Sequence, residues 1–199
     1  MEVNVIVAGV GGQGVVTAGT LISQSALVKG HNVVMSEIHG LAQRGGSVSV
    51  EVRIGNIRSP IIPKGETDLI LGIEPIEAVR AAENAGERTD VLINIGPVEP
   101  VSLSMRGKEY PDMRELVSEI VDRLDVHFID ALPLALEAGD ARAVSTVMVG
   151  AALQLGILPI DEESTLEALK KRFSERLYTI NEKALKLGMK NVLLALHEI

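Results

Sequence analysis

The sequence predicts an α/β fold, a doubly wound and mostly parallel sheet with helices on both faces. Three observations carry this expectation. Short apolar runs recur along the chain and alternate with helical patterns. The first run, Val5 to Ala8, stops at a glycine turn and passes at once into a helix. One stretch, Ser47 to Ile54, instead alternates apolar and polar residues, which marks an inserted or edge β-hairpin.

The opening segment, Val3 to Ser25, organises the rest. Gly9, Gly11 and Gly14 fall in the spacing G-x-G-x-x-G between a strand and a helix, a Rossmann-like arrangement. In this pattern Gly9 allows a tight turn, Gly11 admits a ligand to the backbone, and Gly14 lets the helix pack on the strand. Together with Gly12 and Gln13 they precede the unpaired amides of a helix start, which favours an anion. A plain βα turn is the alternative reading.

Asn32 to Ser36 reads as a second strand, and Glu37 follows 23 residues after Gly14. An acid there either holds a ribose hydroxyl, as in nicotinamide-binding folds, or is a loop-facing carboxylate. His39 then lies in a glycine-rich loop with Gln43, Arg44, Gly45 and Gly46. Arg44 on such exposed backbone suits the grip of a phosphate or carboxylate. In the alternating run, Val48, Val50, Val52 and Ile54 form the covered face. Asn56 to Ile62 is the expected hairpin partner, with Gly55-Asn56 as the turn.

Asp68 to Ile73 and Asp90 to Ile95 are buried parallel strands. Glu74-Pro75 opens a helix to about Gly86, and Pro111-Asp112 opens another through Leu124. Val126 to Ile129 is a last short strand, which Asp130 to Pro133 leaves. From Ala141 the chain reads as wholly helical. Ser145 to Leu158 is rich in small residues, and Leu166 to Leu187 keeps 3–4 spacing until Gly188 ends the helix. The expected organisation is a single domain over 1–199 with a helical extension from about 141 to 199.

Composition excludes several function classes. A net charge of −8 and 2% aromatic residues disfavour a nucleic-acid surface. There is no cysteine, hence no disulfide, thiolate nucleophile or Cys-ligated iron–sulfur cluster in this chain. No apolar run reads as a membrane span, and a strand begins by the third residue, so a cytoplasmic protein without signal peptide is expected. His31, His39, His127 and His197 show no metal-ligand spacing, and neither a serine elbow nor a P-loop is present. No catalytic and no metal-ligating residue is assigned. The residues by themselves lead to an anion-binding α/β module.

The combination of G-x-G-G-Q-G-V, S-E-x-H-G-x-A-Q-R-G-G-S-V and the Arg53-Ile54-Gly55 step resembles the gamma-subunit family of 2-oxoacid:ferredoxin oxidoreductases. The middle segment looks most like the beta subunit of the indolepyruvate enzymes. Likeness extends to Asp68-Leu69-Ile70, Glu74, Gly150, Asn181 and Gly188, nearly the whole length. The resemblance implies a non-cluster-bearing subunit of an enzyme that converts aryl pyruvates to acyl-CoA and reduces ferredoxin. Thiamine diphosphate and the iron–sulfur clusters are then expected in a partner alpha subunit. Carried over to this chain, Gly11 to Gly14 and Gln43 to Gly46 face CoA or the partner. A stand-alone NAD or flavin oxidoreductase using Gly9 to Gly14 and Glu37 is the competing reading. The apolar tail, Asn191 to Ile199, either folds back or docks on a partner, a second copy included.

Overall fold

A computed structural model describes residues 2–40, 46–96 and 110–192. Among these residues, six strands form one sheet in the order β2-β3-β1-β4-β5-β6. They are β1 Val3–Val10, β2 Val33–His39, β3 Ser47–Ile54, β4 Thr67–Gly72, β5 Ala85–Asn94 and β6 Asp125–Ile129. β1, β4, β5 and β6 pair in parallel, whereas β3 runs antiparallel to both β1 and β2. β3 is therefore reversed in a sheet that otherwise runs in a single direction.

Seven α-helices of the described residues pack on it: α1 Val15–Val28, α2 Pro75–Ala81, α3 Met113–Val121, α4 Ala131–Ala138, α5 Val144–Gln154, α6 Glu162–Arg172 and α7 Glu175–Lys190. Alternate residues of the central strands enter separate cores. Val5, Val7, Leu69, Leu71 and Leu92 meet α1 and α5, and Ile6, Ala8, Ile70, Val91 and Ile93 meet α2 and α3. Strands covered on both faces need apolar residues throughout, which is why β1 and β4 read as unbroken runs.

The alternating run has one covered face, as expected, because α1 packs on β3: a Cβ on Gly19 would press against Val50. Its expected partner is corrected. Segment 56–62 forms no strand. It crosses the polar face of β3, where Arg53 Nη1 donates to the carbonyls of Ser59 (3.2 Å) and Ile61 (2.9 Å). Glu51 Oε2 accepts from the Ile62 amide at 2.7 Å. The hairpin is β2–β3, closed by Gly40 N–H donating to Ser47 O at 2.9 Å.

Helix boundaries differ too. α2 ends at Ala81, and Gly86 belongs to β5. The Asp130 to Pro133 step enters helix α4, whose first turn accommodates Pro133 because no helical bond is lost there. The long C-terminal helix is two. Phe173 is extended at φ −113 and ψ 150, so α6 lies on α1 and α7 turns onto α5. Gly188 does not end α7 but lies inside it, against the backbone of Val147. Of the apolar tail, 193–199 lies outside the described residues. Among the described residues, no helix is long and apolar enough to cross a membrane.

Candidate functional site

The carboxyl ends of β1, β4, β5 and β6 share one edge, where open α/β sheets bind ligands. β1 carries the glycine turn there. Gly12 and Gly14 hold the left-handed conformations, at φ 99 and 85, and Gly14 is the cap residue of α1. Gly9 is still within the strand, and a Cβ on it would lie 2.8 Å from Val15 Cγ2 and 3.3 Å from Ile73 Cβ. The spacing is as read, but the turn conformations belong to Gly12 and Gly14, and Gly9 serves close packing.

Three amides at the turn are committed within the protein. Val10 N–H donates to Gln13 Oε1 at 2.7 Å, and Gln13 N–H returns a bond to Val10 O at 3.1 Å. Gly11 N–H donates to Gly46 O at 2.9 Å, which ties the glycine turn to the end of the 40–46 loop. Beyond these, the first amides of α1 have no partner among the described residues and are free for an anion. Gln43, Arg44 and Gly45 lie outside the described residues.

Glu37 and His39 are not loop residues. Both stand on β2, with exposed side chains and His39 Nε2 3.2 Å from Glu37 Oε2. Through Val50 and Val48 of β3, they are level with Val7 and Gly9 of β1. Two strand spacings, about 10 Å, therefore separate them from β1. A ribose-binding acid belongs on the strand beside β1, and the reversed β3 occupies that place.

The densest polar cluster was not apparent in the sequence. Glu74, just past β4, is fully buried and accepts from Tyr110 Oη and from the Glu77 amide at 2.9 Å, capping α2. Burial pushes its carboxyl above the ordinary value, partly offset by these two donors. Burial and the adjacent Glu74 also raise the Tyr110 hydroxyl. Glu77, 4% exposed, accepts from Ser47 Oγ at 2.7 Å and Arg80 Nη1 at 2.6 Å. Asn94, at the end of β5, donates to Ile73 O at 3.0 Å and accepts from Ala131 N at 3.0 Å, joining three strand ends. The available signals were an acid directly after a buried strand and one amide inside the apolar Asp90–Ile95 run.

Among the described residues, the hydroxyl–carboxylate contacts that the arrangement brings together, Ser47 with Glu77 and Tyr110 with Glu74, include no histidine. Nor, among those residues, could any group of three His, Asp or Glu hold a metal ion. With no cysteine in the chain, its residues do not fit an iron–sulfur cluster.

Comparison with known proteins agrees with the fold. The family described as pyruvate ferredoxin/flavodoxin oxidoreductase matches residues 4–191. The chain belongs to this family. Indolepyruvate oxidoreductase subunit IorB of Methanothermobacter thermautotrophicus is 40% identical over 189 residues, covering 94% of this chain and 96% of that one. The IorB subunit of Archaeoglobus fulgidus is 37% identical, with 94% of each chain covered. In fold, the chain matches pyruvate oxidoreductase subunit PORC of Thermotoga maritima with a TM-score of 0.74 at 21% identity, over 96% and 97% of the two chains. As an oxidoreductase-family subunit, the chain has its counterparts in such subunits, and a stand-alone nicotinamide or flavin enzyme is not favoured.

Proposed function

We propose that this chain is the small, non-cluster-bearing subunit of an indolepyruvate (aryl pyruvate):ferredoxin oxidoreductase, supporting CoA-dependent oxidative decarboxylation. The single observation that carries the reading is full-length similarity to the IorB subunits at 37–40% identity. Thiamine diphosphate and the iron–sulfur clusters belong to the alpha subunit in this reading, and ferredoxin is reached through the complex. The chain's own contribution is a binding edge. Gly9, Gly11, Gly12, Gln13 and Gly14 meet the end of the 40–46 loop through the Gly11–Gly46 bond. We assign that edge, with Gln43, Arg44, Gly45 and Gly46, to CoA or the partner subunit, and place the complex in the cytoplasm. Glu37 and His39 stand aside from it on β2.

The test is affinity purification of the tagged chain from its native host at low salt. The reading expects a large Cys-rich, thiamine-binding chain to co-elute and the complex to reduce ferredoxin with indolepyruvate and CoA. Recovery of the chain alone, carrying a bound nucleotide, would overturn it.

A further inference from the structure

β2 forms one edge of the sheet, and its outer side has no neighbouring strand among the described residues. Its register with β3 fixes which backbone groups face outward. Gly40 N–H donates to Ser47 O at 2.9 Å, and Asn32 O accepts from Gly55 N–H at 2.8 Å, so the even-numbered residues between them bond to β3. The odd-numbered residues then point away from β3. The amides and carbonyls of Val33, Met35, Glu37 and His39 line the open edge, with no partner among the described residues.

Edge strands are ordinarily guarded by lysine, proline, a bulge or a covering element. β2 has no lysine and no proline, and it pairs with β3 without a register shift. It also carries Ile38, 50% exposed, on the face that Ser36 shares. Segment 56–62 crosses that face, where Ser36 Oγ donates to Pro60 O at 3.4 Å, and adds Ile61, 65% exposed.

The strand is complementary to itself. Aligned antiparallel about Ser36, Glu37 stands opposite Met35 of a second copy and His39 opposite Val33, and the outward groups of both strands pair completely. On the other face Ile38 meets Val34 of the second copy. Like charges are nowhere directly opposed, and each Glu37 keeps His39 of its own chain at 3.2 Å.

We propose that β2 pairs with β2 of a second copy of this chain about a two-fold axis at Ser36, giving one continuous sheet across a homodimer. The interface is isologous and covers Ile38 in both copies. It uses neither the glycine turn nor the family relationship, so it stands or falls separately from the proposed function.

The chain has no cysteine, so a single introduced one reports the register. Opposed residues of a non-hydrogen-bonded antiparallel pair have Cα atoms about 4.5 Å apart, within reach of a disulfide. Ser36→Cys in the full chain should therefore give a disulfide-linked dimer on mild oxidation. Ile38→Cys should not, because the two copies of that position lie four residues out of register, about 13 Å along the strands. Sedimentation velocity of the unmodified chain should show a concentration-dependent dimer. Glu37→Pro removes an outward amide and no bond to β3, as an edge strand allows. It should keep the circular dichroism of the parent and weaken dimerisation at least tenfold. A chain that stays monomeric at every concentration would overturn the pairing and leave the edge to a strand of another subunit. Equal cross-linking of the two cysteine variants, or unchanged dimerisation of folded Glu37→Pro, would overturn it as well.

Discussion

Ser47 Oγ donates to Glu77 Oε2 at 2.7 Å, fastening the first residue of β3 to the first turn of α2. Because Gly46 directly precedes Ser47 and accepts from Gly11, one run of hydrogen bonds joins α2 to the glycine turn. Glu77→Ala would remove the acceptor of the exposed Ser47 hydroxyl, which water can then serve, at a cost of about 0.5–1.5 kcal/mol, the net worth of one hydrogen bond. Glu77→Gln keeps an acceptor and should cost less. Urea unfolding of the two variants measures the difference, and equal losses would argue against the bond to Ser47.

The contact between α5 and α7 makes a second, sharper expectation. A Cβ on Gly188 would lie 2.9 Å from the carbonyl carbon of Val147, and backbone there cannot step aside as a side chain would. Gly188→Ala should destabilise by about 3 kcal/mol or more. Gly30, at φ 82, is the comparison, because a methyl added there would meet nothing within 4 Å. Gly30→Ala should cost only about 1–2 kcal/mol, the penalty of the left-handed conformation alone. Thermal unfolding of both variants decides whether packing or backbone conformation governs.

The buried Glu74 carboxyl makes stability depend on pH. Its value in the folded protein is raised above 4.5, burial being the largest cause. Between the unfolded and folded values the folded state binds the extra proton, so this group's contribution falls as pH rises through that window. Glu74→Gln removes the titration. Denaturant midpoints of parent and variant, measured from acid to neutral pH, should therefore show the parent losing ground as pH rises. A constant difference across the range would contradict the assignment.

Arg44 carries the prediction for the binding edge. In the assembled complex, Arg44→Ala should raise the KM for CoA about tenfold or more, the scale of a lost charge-assisted bond, while the subunits still co-purify. Steady-state kinetics at varied CoA provide the measure. An unchanged KM would take Arg44 out of the site.

Much of this was legible in the residues. Glycine spacing after Val5 to Ala8 placed the turn, and the two-residue alternation from Val48 to Ile54 marked a strand with one covered face, because both signals are local. The partner of that strand was not legible. Asn56 to Ile62 follows it closely, yet Glu51 and Arg53 hold this segment across the face, and β2 takes the edge. Nor was the Glu74–Glu77–Ser47 cluster legible, since its members lie up to 30 residues apart and meet only when β3 and α2 share an edge.

By itself the sequence determined the α/β class, the glycine turn at the start of α1, the absence of thiolate ligands, and the family. These follow from composition, from periodicity, and from motifs contiguous in the chain. Tertiary structure alone decided the reversed β3 between β2 and β1, the break at Phe173 and the place of Gly188 within α7. Periodicity records which residues seek cover, but it does not say which surface covers them. That choice is made when helices and strands compete for the same faces of the sheet, and here it removed Glu37 from the edge while burying Glu74 within it.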